Sequence, residues 1–267
     1  MNKYRLLATA AALAAPLALA APDPWEAPFT IQVGAFSAEA ETMLRLDRNN
    51  GRFGTQVSFE GDLGGEDRKT LPTLELLWRF SPANAIEASV VSLRRDGQTT
   101  LRASIDFGEA TFPISAPVDS TFDSDIVRVA WRWSPVHTEN AELGLLLGFH
   151  YTRLKTALSS TGSTVSVSEE ASVDYPLPTI GVRGNARFAD NWRVTGFGQF
   201  LKLKIDEYDG EVLNFGVGLE WMFTRSMFAG LGYEHYKYNL VSTKDNARGE
   251  FDYRFDGPKL YFGWNFR

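Results

Sequence analysis

The chain has 267 residues, 44% of them apolar and 13% aromatic, with 27 Lys and Arg set against 33 Asp and Glu. That acidic balance disfavours a nucleic-acid partner. The absence of Cys removes disulfides, thiolate metal sites, a catalytic thiol and a lipoprotein anchor.

Taken in order, Lys3 and Arg5 precede an apolar run from Leu6 to Ala20 that closes in Ala18-Leu19-Ala20. Residues 1–20 therefore read as a secretory signal peptide and are set aside from the fold. Without Lys3 and Arg5, 25 basic residues face 33 acidic ones, a net charge of −8. Residues 21–28 read as a short lead-in segment and 29–267 as one β domain. Past residue 22 no apolar run approaches the ~18 residues of a helical span.

Period-two alternation runs through the rest, and successive side chains of a strand face opposite sides. Phe29, Ile31, Val33 and Ala35 share one face; so do Leu74, Leu76, Trp78 and Phe80, and then Ile86, Ala88 and Val90. The same holds for Val127 to Trp133, for Leu143 to Tyr151, for Ile180, Val182, Ala186 and Phe188, for Leu213 to Phe223 and for Met227 to Tyr233. Trp192 to Ile205 is ambiguous in phase, as a bulge would make it. Short turns at 81–84, 134–140, 189–191 and 224–226 take turns with long segments at 38–69, 94–122, 156–170, 206–211 and 239–256. The tally predicts ten strands, with eight or twelve as alternatives. Asn49-Asn50-Gly51 and Asp96-Gly97 are hairpin signals inside the first two long segments.

Alternation fits a soluble barrel turned inside out as well as a membrane one, so other features must decide. Trp78, Phe80, Trp131, Trp133, Trp192, Trp221, Phe223, Trp264 and Phe266 cluster beside the short turns, as an interfacial aromatic girdle does. The polar face is rich in glycine, which suits a narrow interior. Apolar faces run for about 9 to 11 residues, the length that crosses a bilayer at a tilt. With no helical span available, only a closed barrel satisfies its backbone in lipid. The predicted fold is all-β, an antiparallel up-and-down transmembrane β-barrel.

The closing stretch Pro258 to Arg267, PKLYFGWNFR, puts Leu260, Phe262, Trp264 and Phe266 on one side. It resembles the last strand of the small bacterial outer-membrane β-barrels, the superfamily of OmpA-like transmembrane barrel architecture. It departs from that pattern where Arg267 follows the last Phe and where Tyr261 replaces the usual Gly. The resemblance implies location in the outer membrane of a Gram-negative-type bacterium and short periplasmic turns, with 21–28 on the periplasmic side. It also implies long extracellular loops and assembly by the outer-membrane machinery through the C-terminal strand. No functional motif of a characterised member is matched, so no active residue carries over.

With the apolar face in lipid, Glu75, Glu87, Glu142, Glu220 and Glu234 point inward together with Arg79, Arg128, Arg132, Arg183 and Arg187. Balanced charges in a confined space predict a mutually satisfied network, and about ten strands lie near the filled end of the barrel series. Arg153, Lys155, Lys202, Lys204, His235 and Lys237 continue the lipid-facing phase just past its last apolar members. They are read as a collar for lipopolysaccharide phosphates, set against plain solvation of the strand ends. The acidic stretch Asp206, Glu207, Asp209 and Glu211 lacks EF-hand spacing. No Ser/His/acid set is local, so neither catalysis, a cofactor nor a metal is expected. An enzyme would need a His and an acid brought together at the rim. The expected role is a structural or envelope-contacting barrel, with a narrow solute channel as the alternative.

Overall fold

The computed structural model describes residues 24–161, 166–205, 208–243 and 248–266. The predicted signal peptide, Asp206, Glu207 and Arg267 lie outside them. After a 3-10 turn (Pro24–Glu26) the strands are β1 (Phe29–Leu46), β2 (Val57–Ser58), β3 (Arg68–Ser81), β4 (Asn84–Thr100), β5 (Ile105–Phe107), β6 (Ala110–Phe112) and β7 (Pro117–His137). There follow β8 (Ala141–Thr161), β9 (Ser166–Ala189), β10 (Trp192–Ile205), β11 (Tyr208–Met222), β12 (Met227–Ser242) and β13 (Gly249–Phe266). Among the described residues, ten of these (β1, β3, β4 and β7 to β13) run antiparallel beside their neighbours in sequence. β13 pairs back on β1, from Phe29↔Phe266 to Leu46↔Gly249, and closes the cylinder. Closure matters because an open edge in hydrocarbon would leave a row of backbone groups unbonded.

Phe215, Leu219 and Leu260 are 41%, 43% and 53% exposed, whereas Arg128 and Glu220 are 4% and 2% exposed. The apolar face thus looks away from the axis, as the alternation predicts. β10 resolves the same way. Trp192, Val194 and Phe200 face outward, and the pairing of β10 with β9 shifts between Trp192 and Arg193.

The long segments are a correction. Much of 38–46, 94–100, 117–122, 156–161 and 249–256 is strand and not loop. The barrel strands run 14 to 24 residues, beyond the roughly 9–11 that cross a bilayer. The surplus stands above the lipid, and there the faces exchange chemistry. On β12, Leu231 and Tyr233 point out below; above them His235 and Lys237 point out while Tyr236, Tyr238 and Leu240 are buried inside. On β13, Phe251, Tyr253 and Phe255 do the same above Leu260 and Phe262. Once water replaces lipid outside the wall, apolar side chains are stabilised only by facing inward.

Asp96-Gly97 is a second correction. β4 continues through it, with Asp96↔Thr121 and Gly97↔Ser120. Glycine is required there for close approach: a Cβ on Gly97 would lie 2.6 Å from Ser120 Oγ and 2.7 Å from the Leu63 carbonyl. The hairpin of that segment is β5–β6, turning at Gly108 with φ of 56°. Neither β2 nor β5–β6 joins the wall as a crossing. Segment 57–67 instead covers the gap above Thr73↔Val91, where β3 and β4 part, through the bridge Gly65↔Gly97. Phe59, Leu63, Phe107 and Phe112 enter the upper core.

β9 and β10 also part above Ile180↔Phe200. Pro178 and Pro176 pair with Phe149 and Tyr151 of β8 without an N–H to give, so their nitrogens face the open side. Two donors that would otherwise be orphaned at that seam are absent.

Candidate functional site: the lumen and its rim

Three levels fill the interior. At the short-turn end Trp25, Met222, Phe228 and Tyr261 form a small buried cluster. The 3-10 turn places the Trp25 ring 5.8 Å from Phe228 and 4.2 Å beneath the Arg193 guanidinium. Residues 24–28 thus begin as a plug in the mouth of the barrel.

Above it lies the charge network. Arg79 donates to both oxygens of Glu142, at 3.2 and 2.9 Å, and Arg132 lies 3.5 Å from the same carboxylate. Ser134 Oγ and Asn185 Nδ2 also donate to Glu142, at 2.5 and 3.2 Å. Glu87 bridges Arg132 at 3.2 Å and Arg183 at 3.1 Å. Lys259 binds Glu75 and, at 2.7 Å, Glu234, which accepts also from Tyr236 at 3.0 Å. Arg193 pairs with Glu220 at 2.5 Å, and Tyr261 donates to that carboxylate at 3.0 Å. Burial without partners would make each charge costly; shared hydrogen bonds offset that cost.

Of the ten residues read as lumenal, eight lie in this ion-pair network, and Arg128 is buried beside it, donating to Gln199 Oε1 at 3.5 Å and Asn214 Oδ1 at 3.4 Å. The Arg187 guanidinium donates to the Glu139 carbonyl in the β7–β8 turn. Arg193, Lys259, Tyr261, Tyr236 and Gln199 join these residues without having been singled out. Lys259 and Tyr261 had their inward signal in the alternation of the last strand. Arg193 was hidden by the phase ambiguity of β10. Two cavities of about 30 and 40 Å³ remain between these side chains, enough for a few waters.

The third level is the upper core, where Phe36, Phe122, Leu154, Tyr238, Tyr253 and Phe255 meet the residues of segment 57–67 and the β5–β6 hairpin. His150 marks the boundary, its ring nitrogens 3.0 Å from the Tyr238 hydroxyl and 3.3 Å from Gln199 Oε1. Arg95 is buried within the core itself. Its guanidinium lies 4.8, 5.0 and 5.8 Å from the rings of Phe59, Phe122 and Tyr253 and binds Glu60 and Thr42. At the tip of the β5–β6 hairpin the Thr111 hydroxyl, 2.6 Å away, holds Asp106 below the usual carboxylate range, with Arg48 adding to the effect.

On the outer wall, the aromatic girdle stands exposed beside the short turns, from Trp78 and Phe80 through Trp131, Trp133, Trp192, Trp221 and Phe223 to Trp264 and Phe266. At the opposite border the outward positions carry ion pairs on four of the long-segment hairpins and a His–carboxylate contact on the fifth. These are Glu39–Arg68 at 2.6 Å, Arg94–Asp125 at 2.7 Å, Arg153–Asp174 at 2.7 Å, Lys202–Glu211 at 3.2 Å and His235–Asp256 at 3.6 Å. Of the collar positions, Arg153 and Lys202 thus each face a carboxylate of the neighbouring strand end. Lys204 approaches Asp209 at 3.9 Å. Among the described residues only Lys155 and Lys237 of the six collar positions have no carboxylate partner. Of the three histidines, His137 lies 3.1 Å from Glu26 at the mouth and His150 is sealed inside. His235 does meet an acid at the rim, but it stacks on Phe215 at 4.9 Å and Asp256 is shared with the Tyr233 hydroxyl.

No protein-family model and no curated protein sequence matches the chain. Among solved structures it is similar to the outer membrane protease OmpT of Escherichia coli, with a TM-score of 0.58 and 11% identity over 89% of this chain and 96% of that one. Looser matches are the attachment invasion locus protein Ail of Yersinia pestis (TM-score 0.36, 14% identity, 88% and 99% covered) and OprG of Pseudomonas aeruginosa (0.32, 13%, 91% and 97%). At such identities the likeness speaks for the fold alone. With its closed ten-stranded cylinder and outward apolar band, the chain thus has the fold of an outer-membrane β-barrel.

Proposed function

We propose that the protein is a closed, non-conducting outer-membrane barrel that acts through the rigid part standing above the lipid, as an envelope-contacting or structural protein. One observation carries this reading: the interior is occupied at every level, by the Trp25 cluster, the ion-pair network and an apolar upper core. A solute would have to break buried ion pairs and then pass a packed core, each at a cost of several kcal/mol. The narrow channel is therefore the weaker reading. Planar-bilayer recording of the purified barrel tests it. Wild type is expected to give no discrete steps; steps that vanish on substituting Arg128 or Arg132 would establish a channel instead.

Contact with lipopolysaccharide remains part of the proposal in a reduced form. Exposed ion pairs are worth about 0–1 kcal/mol each, so a phosphate can compete for the paired cations, while Lys155 and Lys237 meet it directly. Replacing Lys155 and Lys237 by Gln is expected to reduce co-purifying lipopolysaccharide. Unchanged association would leave the collar as a solvated border only.

A further inference from the structure

At its outer end the molecule holds a depression of about 260 Å³ between segments 55–62 and 99–105. The two walls are tied to one another without any ligand. Thr55 N–H donates to the Asp106 carbonyl at 2.6 Å, and Asp106 N–H donates back to the Thr55 hydroxyl oxygen at 2.9 Å. The floor is Val57, Leu101 and Ile105, buried side chains of the upper core. The volume lies just under the roughly 300–1,000 Å³ of small-molecule sites, which suits a ligand the size of one sugar ring.

The rim presents polar atoms that the backbone has already oriented. Ser104 Oγ accepts from the Ile114 N–H at 3.2 Å, and Asp62 Oδ2 accepts from the Ser58 N–H at 2.8 Å. Among the described residues the hydroxyl protons of Thr55 and Ser104 and the second oxygen of Asp62 are left for an occupant. Arg102 and Gln56 are exposed on the same rim, and neither makes a hydrogen bond or an ion pair among the described residues. One cation and one carboxylate thus line the depression without pairing, and its net charge is zero. Beside Ser104, Ile114 is 61% exposed, on a turn where Ser115 takes a φ of 66°, a strained conformation for a residue with a Cβ.

We infer that this depression binds a neutral saccharide unit. A phosphate or carboxylate would meet Asp62, and an amine would meet Arg102. A wholly apolar ligand would strip water from the rim groups without replacing their hydrogen bonds. A zwitterion would use only the two exposed charges, whose attraction salt screens, and would leave the uncharged groups idle. A sugar hydroxyl both donates and accepts. One ring can therefore serve the donor-only Arg102, the acceptor-only Asp62 and the mixed groups of Thr55, Ser104 and Gln56. The inference rests on the reading of the outer part as the part that acts, and it names the chemistry contacted there.

The folded wild-type barrel, held in an amine-oxide detergent that carries no sugar, is presented to immobilised neutral oligosaccharides. One arm uses those released from the producing bacterium's own lipopolysaccharide, the other uses hexose and N-acetylhexosamine oligosaccharides of foreign surfaces. Retention in either arm is the expected result and says which surface supplies the sugar; it should be insensitive to salt, as a neutral ligand requires. Asp62→Asn turns the free acceptor into a donor and Arg102→Gln removes the guanidinium, both at exposed positions that spare the core. Each is expected to weaken retention about ten-fold or more, as loss of a hydrogen bond to a charged group does. No wild-type retention in either arm would overturn the site, and so would retention that salt abolishes or that either variant leaves unchanged. Should the site fall in this way while replacing Lys155 and Lys237 by Gln still lowers co-purifying lipopolysaccharide, the envelope-contacting reading stands without it.

Discussion

A Cβ added at Gly230 would lie 2.2 Å from the Tyr261 ring, and one at Gly218 would lie 2.7 Å from its hydroxyl. The inward glycines of β11 and β12 are thus the space that Tyr261 occupies on its way to Glu220, and the two features specify one another. Gly230→Val is expected to push the ring off, lengthen its hydrogen bond and destabilise the barrel by about 1–3 kcal/mol, the usual range for overpacking. Urea unfolding in detergent micelles measures it, and an unchanged midpoint would mean that the ring has somewhere else to go. Alternation places Tyr261 and Lys259 on the inner face from sequence alone. It does not say which carboxylate each will reach, because those partners, Glu220, Glu75 and Glu234, come from other strands around the cylinder.

Segment 57–67 is the element least visible in the sequence and the one that most changes the interior. It has almost no alternation of its own, only Val57, Phe59 and Leu63 set among polar residues and glycines. Its position depends on a salt link from β4, Arg95 to Glu60, inside an aromatic cage. The sequence offers Arg95 as one more charge beside Arg94 and Asp96, and nothing local distinguishes the buried one. Arg95→Met is expected to free Glu60, cost about 1.5–3 kcal/mol for the charged hydrogen bonds lost, and open 57–67 to protease while the wall stays folded. Resistance equal to wild type would show that Phe59 and Leu63 hold the segment unaided. The faces of β12 and β13 were legible to a closer reading. Tyr236, Tyr238 and Leu240, like Phe251, Tyr253 and Phe255, alternate in the phase opposite to the apolar residues nearer the turns. That reversal of phase within one strand is the signature of a wall leaving lipid for water.

At the scale of the whole molecule, the same ten strands make two different solids. The lower one is a polar-cored barrel whose outside is solvated by hydrocarbon, and the upper one is an apolar-cored barrel whose outside is solvated by water. The number of strands and the lipid-facing side follow from the sequence, since both rest on period-two patterns and turn lengths. The sealed top does not, because it is assembled from separate segments, β5–β6, 57–67 and five strand extensions, that meet only in space. The measurement that tests this most directly is a single-cysteine scan along β8, which the absence of native Cys makes clean. The barrel is reconstituted in liposomes and exposed to a membrane-impermeant maleimide. Positions 153 and 155 should label, 145, 147 and 149 should be shielded by lipid, and the inward positions 146, 148, 150, 154 and 158 should stay unlabelled. Rapid labelling at 148, 150 and 154 would mean that water runs through the middle of the barrel, and the account of a filled interior would be wrong.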